Sequence, residues 1–310
     1  MKGQTGGNCH LGIKTESFLM NVARLLGLEK LRWSLRRIHC PVSNSALVLE
    51  VGSGGNPYPR SNVLVDAYED TSERHWAPLV HDRPTVLADG EKLPFKDKVF
   101  DYVIASHVLE HTTDPASFLA ELQRVARAGY IETPDAFMER INPYKDHRLE
   151  VTVRNDALII RKKPQWIMDV ELVEMYEPRA KLRVTHDLIP KYPEDFHMRY
   201  YWSENINYKL LNPEVDATWQ PESAISAPVS LSALVRIKTG LREIWLGSLR
   251  WIFSQRSRNK KIDLLPLLQC PSCGASEFVS ERSELVVCGG CAAQYYYRNH
   301  ILIMNEVSES

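Results

Sequence analysis

Apolar residues near the start of the chain recur at steps of three and four: Phe18, Val22, Leu25, Leu28, Leu31, Leu35 and Ile38. That spacing is one face of an amphipathic helix, and Gly27 falls where the pattern divides into two. The pattern then changes. Residues 46–51 are an apolar run that ends in Gly52-Ser53-Gly54-Gly55, which predicts a buried parallel strand with a tight turn at its carboxyl end. Residues 63–66, 85–89, 100–105 and 129–132 are further short apolar strands. Between the last two lies a helix over 115–126, with Phe118, Leu119, Leu122 and Val125 on one face. Strands alternating with helices imply right-handed crossovers, and so an α/β, doubly wound, mostly parallel sheet.

Beyond Pro134 the periodicity weakens. Residues 149–154 and 157–162 flank Asn155-Asp156, a hairpin signal. Residues 166–219 mix aromatics, histidines and charges, and 231–253 give a second basic amphipathic helix interrupted by Gly240 and Gly247. The expected organisation has five parts: N-terminal basic amphipathic helices (1–40), a catalytic domain (41–165), the end of the sheet with a substrate-facing insertion (166–228), a basic helix and linker (229–261), and a separate C-terminal unit (262–310).

Composition adds one feature to this picture. The 310 residues are 44% hydrophobic and 25% charged, which fits a globular protein and excludes fibrous or disordered classes. The net charge of −1 hides an asymmetry. Residues 1–40 carry seven Lys and Arg against Glu16 and Glu29, and residues 229–261 carry eight against Glu243, so two basic segments flank an acidic body. No stretch matches a membrane-spanning helix, and the N-terminus lacks the apolar core of an export signal. The expected location is cytoplasmic, with peripheral association at the inner face of the membrane.

The chemistry concentrates at the first turn. Gly52 and Gly54 let a ligand approach the bare backbone at the carboxyl end of the first strand. Asp66, ending the second strand, is placed to accept hydrogen bonds from ribose hydroxyls. The stretch from Val48 to Pro134 reads VLEVGSGGNPYPRSNVLVD, LADGEKLPFKDKVFDYVIASHVLEH, DPASFLAELQRV and GYIETP. In content, order and spacing it resembles the class I S-adenosylmethionine-dependent methyltransferases. The resemblance implies a seven-stranded Rossmann-like sheet and S-adenosyl-L-methionine as cofactor. It places Glu50, Gly52, Ser53 and Gly54 at the methionine end, Asp66 at the ribose, Asp89 and Gly90 at the adenine, and Ser106 with His107 beside the sulfonium and the acceptor. Pro57 and Pro59 depart from the family pattern by discouraging a long first helix, which leaves Asn56 and Tyr58 as alternative contacts.

Methyl transfer from a sulfonium is an in-line displacement, so a protein mainly aligns the nucleophile and takes its proton where needed. Candidate bases are His107 after the fourth strand, Glu132 ending the fifth and His147 in the next connection. His186 and His197 lack that positional support. His107-Val108-Leu109-Glu110-His111 formally matches HxxEH, a zinc-peptidase signature that requires both histidines on one helix face. Here it directly follows a core strand, which disfavours that reading, and packing or capping is the simpler role for His111.

Cys270-Pro-Ser-Cys273 and Cys288-Gly-Gly-Cys291 present four thiols from two knuckles, the donor set of a closed, structural Zn2+ site with no open position for catalysis. LLQCPSCG, LVVCGGC and YYYRNHILIM, over about residues 265–305, resemble the small zinc-ribbon activator subunit of tRNA and protein methyltransferases. That resemblance implies a ribbon that steadies the catalytic domain, or one that recruits substrate through Tyr295, Tyr296 and Tyr297.

The leading expectation is therefore O-methylation of a sugar, glycan or lipid-linked glycan intermediate. The aromatic segment His197-Met-Arg-Tyr-Tyr-Trp202 would stack on the acceptor, and the basic helices would face an anionic membrane. One alternative is a tRNA, rRNA or protein methyltransferase, with nucleic acid drawn by Arg256, Arg258, Lys260 and Lys261. The other is a non-catalytic scaffold that retains the cofactor fold.

Overall fold

A computed structural model describes residues 14–71, 77–220, 246–282 and 284–305. Residues 1–13 and most of the basic helix expected over 231–253, including Gly240, lie outside the described residues.

The centre of the molecule is a sheet in which β1 (Val48–Val51), β2 (Val63–Asp66), β3 (Thr85–Leu87), β4 (Tyr102–Ser106) and β5 (Ala128–Pro134) run parallel in the order β3-β2-β1-β4-β5. The first three of these strands are buried along their whole length, as apolar runs covered on both faces must be. Helix α3 (Pro115–Val125) covers one face with Phe118, Leu119, Leu122 and Val125. Asp114 caps it by accepting from Ala116 N and Ser117 N, and Pro115 occupies the first turn. Each of these elements agrees with the apolar pattern.

The edges differ from expectation. Beyond β5 a single antiparallel strand, β8 (His197–Ser203), completes the sheet, so the Rossmann-like part has six described strands instead of seven. Met198, Tyr200, Tyr201 and Trp202 are buried in that strand. The aromatic segment expected to stack on an acceptor is therefore core.

On the opposite edge, the C-terminal unit is joined to the sheet instead of standing apart. Its strands β10 (Phe278–Arg282), β11 (Leu285–Cys288), β12 (Gln294–Arg298) and β13 (Ile301–Ile303) form an antiparallel ribbon, and β13 pairs in parallel with β3 through Ile301↔Thr85, Leu302↔Val86 and Ile303↔Leu87. One ten-stranded sheet results. The physical reason is that β3 would otherwise end as an unpaired apolar edge, and Leu302 and Met304 bury themselves in the main core by covering it. Leu302→Ala is accordingly expected to lower the stability of the whole chain by about 2–4 kcal/mol in denaturant unfolding. A ribbon that melts alone, before an unchanged catalytic domain, would contradict this pairing.

The hairpin expected around Asn155-Asp156 is present as β6 (Leu149–Arg154) and β7 (Ala157–Lys162). Both turn residues have positive φ, at 49° and 58°, as a two-residue hairpin turn requires. β9 (Tyr208–Leu210) adds to β7 to make a separate three-stranded sheet.

The N-terminal pattern forms two helices, α1 (Phe18–Leu25) and α2 (Glu29–Leu35), separated at Gly27, whose φ of 68° favours glycine. They attach through buried Met20 and Ala23 of α1 and through the charged side of α2. Arg32 pairs with Glu16, Glu29 and Glu194, while the stripe containing Phe18, Leu25, Leu28 and Leu31 faces outward.

Candidate cofactor and acceptor site

The strand order reverses between β1 and β4, and ligands of open α/β sheets bind outside the carboxyl ends of the strands at that point. At the end of β1, Gly52 has φ 69° and its N–H donates to Val65 O at 2.8 Å; Gly54 has φ 55°. A Cβ on Gly52 would stand 2.0 Å from Val108 Cγ2, so only glycine fits there. Gly54 N donates to Asp66 Oδ2 at 2.9 Å, and Tyr68 N donates to Asp66 Oδ1 at 3.2 Å. The carboxylate expected at a ribose thus also holds the glycine turn in shape. Ser53 Oγ and Ser106 Oγ, at the ends of the adjacent strands β1 and β4, are buried with no hydrogen-bond partner among the described residues. Orphaned hydroxyls beside a bare turn are what a polar ligand seated there would satisfy.

The other residues expected to touch the cofactor have protein contacts of their own. Glu50 is buried and turned into its own loop, where it accepts from Tyr58 N at 2.8 Å and from Ser61 Oγ. Its place is beneath the 56–61 loop that Pro57 and Pro59 keep from becoming helix. Burial pushes its carboxyl up to about 7, against the opposing pull of Arg37. Because the folded form binds the proton more tightly than the unfolded chain, the stabilisation is complete at acid pH and fades as pH rises through 7. Glu50→Gln should therefore match the wild type near pH 4 and exceed it at pH 8 by on the order of 1–3 kcal/mol in denaturant melts. A difference that does not change with pH would refute that environment. Asp89 is exposed and its Oδ1 accepts from Glu91 N at 2.8 Å. Gly90 is demanded by packing, since a Cβ would meet Phe118 Cε2 at 2.9 Å.

Across the crevice, β4 is followed by His107, which adopts φ 58°, rare for a non-glycine residue, while its N–H donates to Glu132 O at 2.7 Å. The ring is exposed on one side and lies between two buried carboxylates: Nδ1 is 3.3 Å from Glu110 Oε1 and Nε2 is 3.4 Å from Glu132 Oε1. Burial opposes the charge, yet these two neighbours push His107 up to about 10. Glu132 is fully buried. Arg36 grips it with two hydrogen bonds, Nε at 2.9 Å and Nη2 at 2.7 Å, and Tyr130 OH donates to it as well. Despite the cost of burial, Arg36 and His107 hold it well below the usual carboxylate range. Its geometry is that of an anchor for Arg36 and His107. His147, the third expected base, stands apart from this pair, in contact with His111 and Glu139. His186 is exposed, whereas His197 packs its ring 5.8 Å from that of His107.

Sequence reasoning missed the contribution of α2 and the residues that follow it. Arg36 reaches Glu132, Arg37 lies over the Tyr58 ring at 3.9 Å and donates to Asn56 O, and Trp33 packs on His197. The basic N-terminal segment spends these charges inside the molecule. Arg258 likewise donates to the carbonyls of Asn44, Ser45 and Ala46, so part of the basic linker is structural.

In the ribbon, Cys270, Cys273, Cys288 and Cys291 bring four Sγ atoms within 4.8 Å of one another, with Cys270 and Cys291 3.7 Å apart and Cys273 and Cys288 3.6 Å apart. Tyr295 OH lies 3.1 Å from Cys270 Sγ, so this tyrosine packs inward; Tyr296 is exposed. Four converging thiols fit a tetrahedral ion. The HxxEH match fails on geometry, because Leu109–His111 is a single tight 3-10 turn that does not put His107 and His111 on one helix face.

The class defined by this sheet order, glycine turn and acidic second strand is a Rossmann-like domain with its ligand crevice at the switch point. More particularly, residues 49–131 match the family model described as a methyltransferase domain, and the chain carries that domain. A segment of 46 residues, 15% of the chain, is 48% identical to the ubiquinone/menaquinone biosynthesis C-methyltransferase UbiE of Burkholderia mallei, and it spans 19% of that relative. The S-adenosylmethionine-dependent methyltransferase of Mesorhizobium loti superposes over 56% of this chain and 96% of its own, at 11% identity and a TM-score of 0.33. The Haloferax volcanii complex between the Trm112 methyltransferase activator and a methyltransferase matches over 44% of this chain and 74% of its own, at 15% identity and a TM-score of 0.29.

Proposed function

We propose that the protein is an S-adenosylmethionine-dependent methyltransferase that acts on a hydroxyl oxygen of a sugar, glycan or lipid-linked glycan intermediate. The observation that carries the cofactor part is the Gly52–Gly54 turn buttressed by Asp66, with the unsatisfied hydroxyls of Ser53 and Ser106 beside it. Those groups would hold the amino-acid and ribose ends of the cofactor, which supplies an electrophilic methyl group when bound. An acceptor entering past His107 would meet the exposed side of an imidazolium whose two nitrogens are turned to Glu110 and Glu132, a fixed cationic ring that would orient the acceptor by packing and charge while leaving its proton in place. The outward apolar stripe of α1 and α2 and the exposed Trp251, Ile252 and Phe253 suit an acceptor presented at an apolar or membrane surface. Among the described residues no helix is long and apolar enough to cross a membrane.

The four ribbon thiols would bind structural zinc, and the β13–β3 pairing favours a ribbon that steadies the catalytic domain in cis. Incubating the protein with tritiated cofactor and fractionated cell extract tests the acceptor. Label in the glycan or lipid-linked fraction supports this reading. Label in RNA or protein overturns the acceptor while keeping the enzyme, and no transfer to any fraction favours a scaffold.

A further inference from the structure

We propose that Glu110, His111 and His147 bind a divalent first-row metal ion, at a site separate from the cysteine ribbon. Each offers one ligand atom, and these atoms lie within 4.8 Å of one another. Glu110 is 2% exposed; its Oε1 forms the 3.3 Å ion pair with His107 Nδ1, and neither carboxylate oxygen receives a well-formed hydrogen bond among the described residues. The His107 imidazolium offsets part of the cost of burying this carboxylate but leaves oxygen lone pairs unfilled, which a metal ion would take up.

The second observation is how His147 is held. Its Nδ1 pairs with Glu139 Oε2 at 2.7 Å, and the other oxygen of Glu139 takes a 2.7 Å ion pair from buried Lys163. That arrangement favours the proton on Nδ1 and leaves Nε2 as the ring atom able to bind a metal, as carboxylates behind metal-binding histidines do. The ring is further fixed by stacking on Tyr144 at 4.6 Å, and it meets His111 edge-on at 4.7 Å. His111 Nδ1 lies 3.2 Å from Asp146 O. The backbone ties the two halves together: Arg148 N donates to Glu110 O at 2.7 Å, and its guanidinium donates to His111 O at 2.9 Å. The donors therefore sit on a braced frame, which a precise metal site needs.

Two imidazoles and a carboxylate suit zinc, cobalt, iron(II) or manganese(II), and three protein ligands leave positions open for water or an acceptor oxygen. The site adjoins His107, so an acceptor hydroxyl could reach the ion. An oxygen bound there would lose its proton more readily. This last consequence rests on the methyl-transfer reading; metal binding itself does not.

The test is a titration of the full chain with Mn2+, following loss of the free-ion electron paramagnetic resonance signal. Manganese prefers nitrogen and oxygen donors over thiolates, so the ribbon contributes little. The expected result is saturable uptake of one ion per chain, unchanged in Cys273→Ser and weakened at least about tenfold in Glu110→Gln and His147→Asn. Glu139→Gln, which touches no ion, is expected to weaken it by about 10–100-fold. Far-ultraviolet circular dichroism checks folding; should Glu110→Gln unfold, the partly buried His111→Asn takes its place. Absence of saturable uptake of Mn2+ by the wild type, or uptake that His111→Asn and His147→Asn leave untouched, overturns the site. Cofactor affinity measured on the same samples separates failure of this site from failure of the methyltransferase reading.

Discussion

Gly52→Ala will cost the protein its cofactor affinity. The new Cβ would lie 2.0 Å from Val108 Cγ2, and alanine would have to keep φ near 69°. The left-handed conformation alone costs about 1–2 kcal/mol for a residue with a Cβ. The clash adds to it by pushing the β1 turn away from β4, which opens the cradle between Ser53 and Ser106. We expect S-adenosylmethionine binding to fall at least about tenfold in calorimetry, equivalent to about 1.4 kcal/mol, with a lower melting temperature. Val108→Ala in the same chain removes the clash and leaves the backbone penalty, so the double variant should recover part of the loss. A single variant that binds as the wild type does would place the ligand elsewhere.

The other large effect is at Arg36. Arg36→Ala leaves Glu132 fully buried and stripped of a bidentate partner, a situation that costs about 3–5 kcal/mol when one member of a buried pair is removed. Denaturant unfolding should show that loss. Converting the pair together, Arg36→Met with Glu132→Leu, should restore much of the stability, because replacing both charges also removes their desolvation cost. It should not restore methyl transfer, since His107 loses one of the two carboxylates that orient it. If Arg36→Ala is as stable as the wild type, the N-terminal helices do not dock as described.

How much of this was legible in the sequence follows from the range of the interactions. The β1 turn could be read because Gly52, Gly54 and Asp66 are close in the chain and their roles are imposed by local backbone geometry and one neighbouring strand. The cysteine cluster was legible for the same reason, as two knuckles declare themselves by spacing. Arg36 was not, because its partner lies 96 residues away and no periodicity marks a basic residue that will be buried. The pairing of β13 with β3 was equally silent: an apolar ILI strand says it will be covered, not by which edge. The tyrosines and tryptophan of β8 look the same whether they pack in a core or wait for a sugar, and only the antiparallel register with β5 decides. His147 was noticed from its placement between β5 and β6, but its partners were not legible: Glu139 and Lys163 hold it, and it clusters with Glu110 and His111.

The central claim is that an adenosyl cofactor seats on the glycine turn with Asp66 at its sugar, and isothermal calorimetry of S-adenosylmethionine against wild type and Asp66→Ala tests it most directly. The account predicts one site per chain in the wild type and no measurable heat of binding in a variant that remains folded by circular dichroism. Equal affinity in the two proteins, or no binding by the wild type, would contradict it.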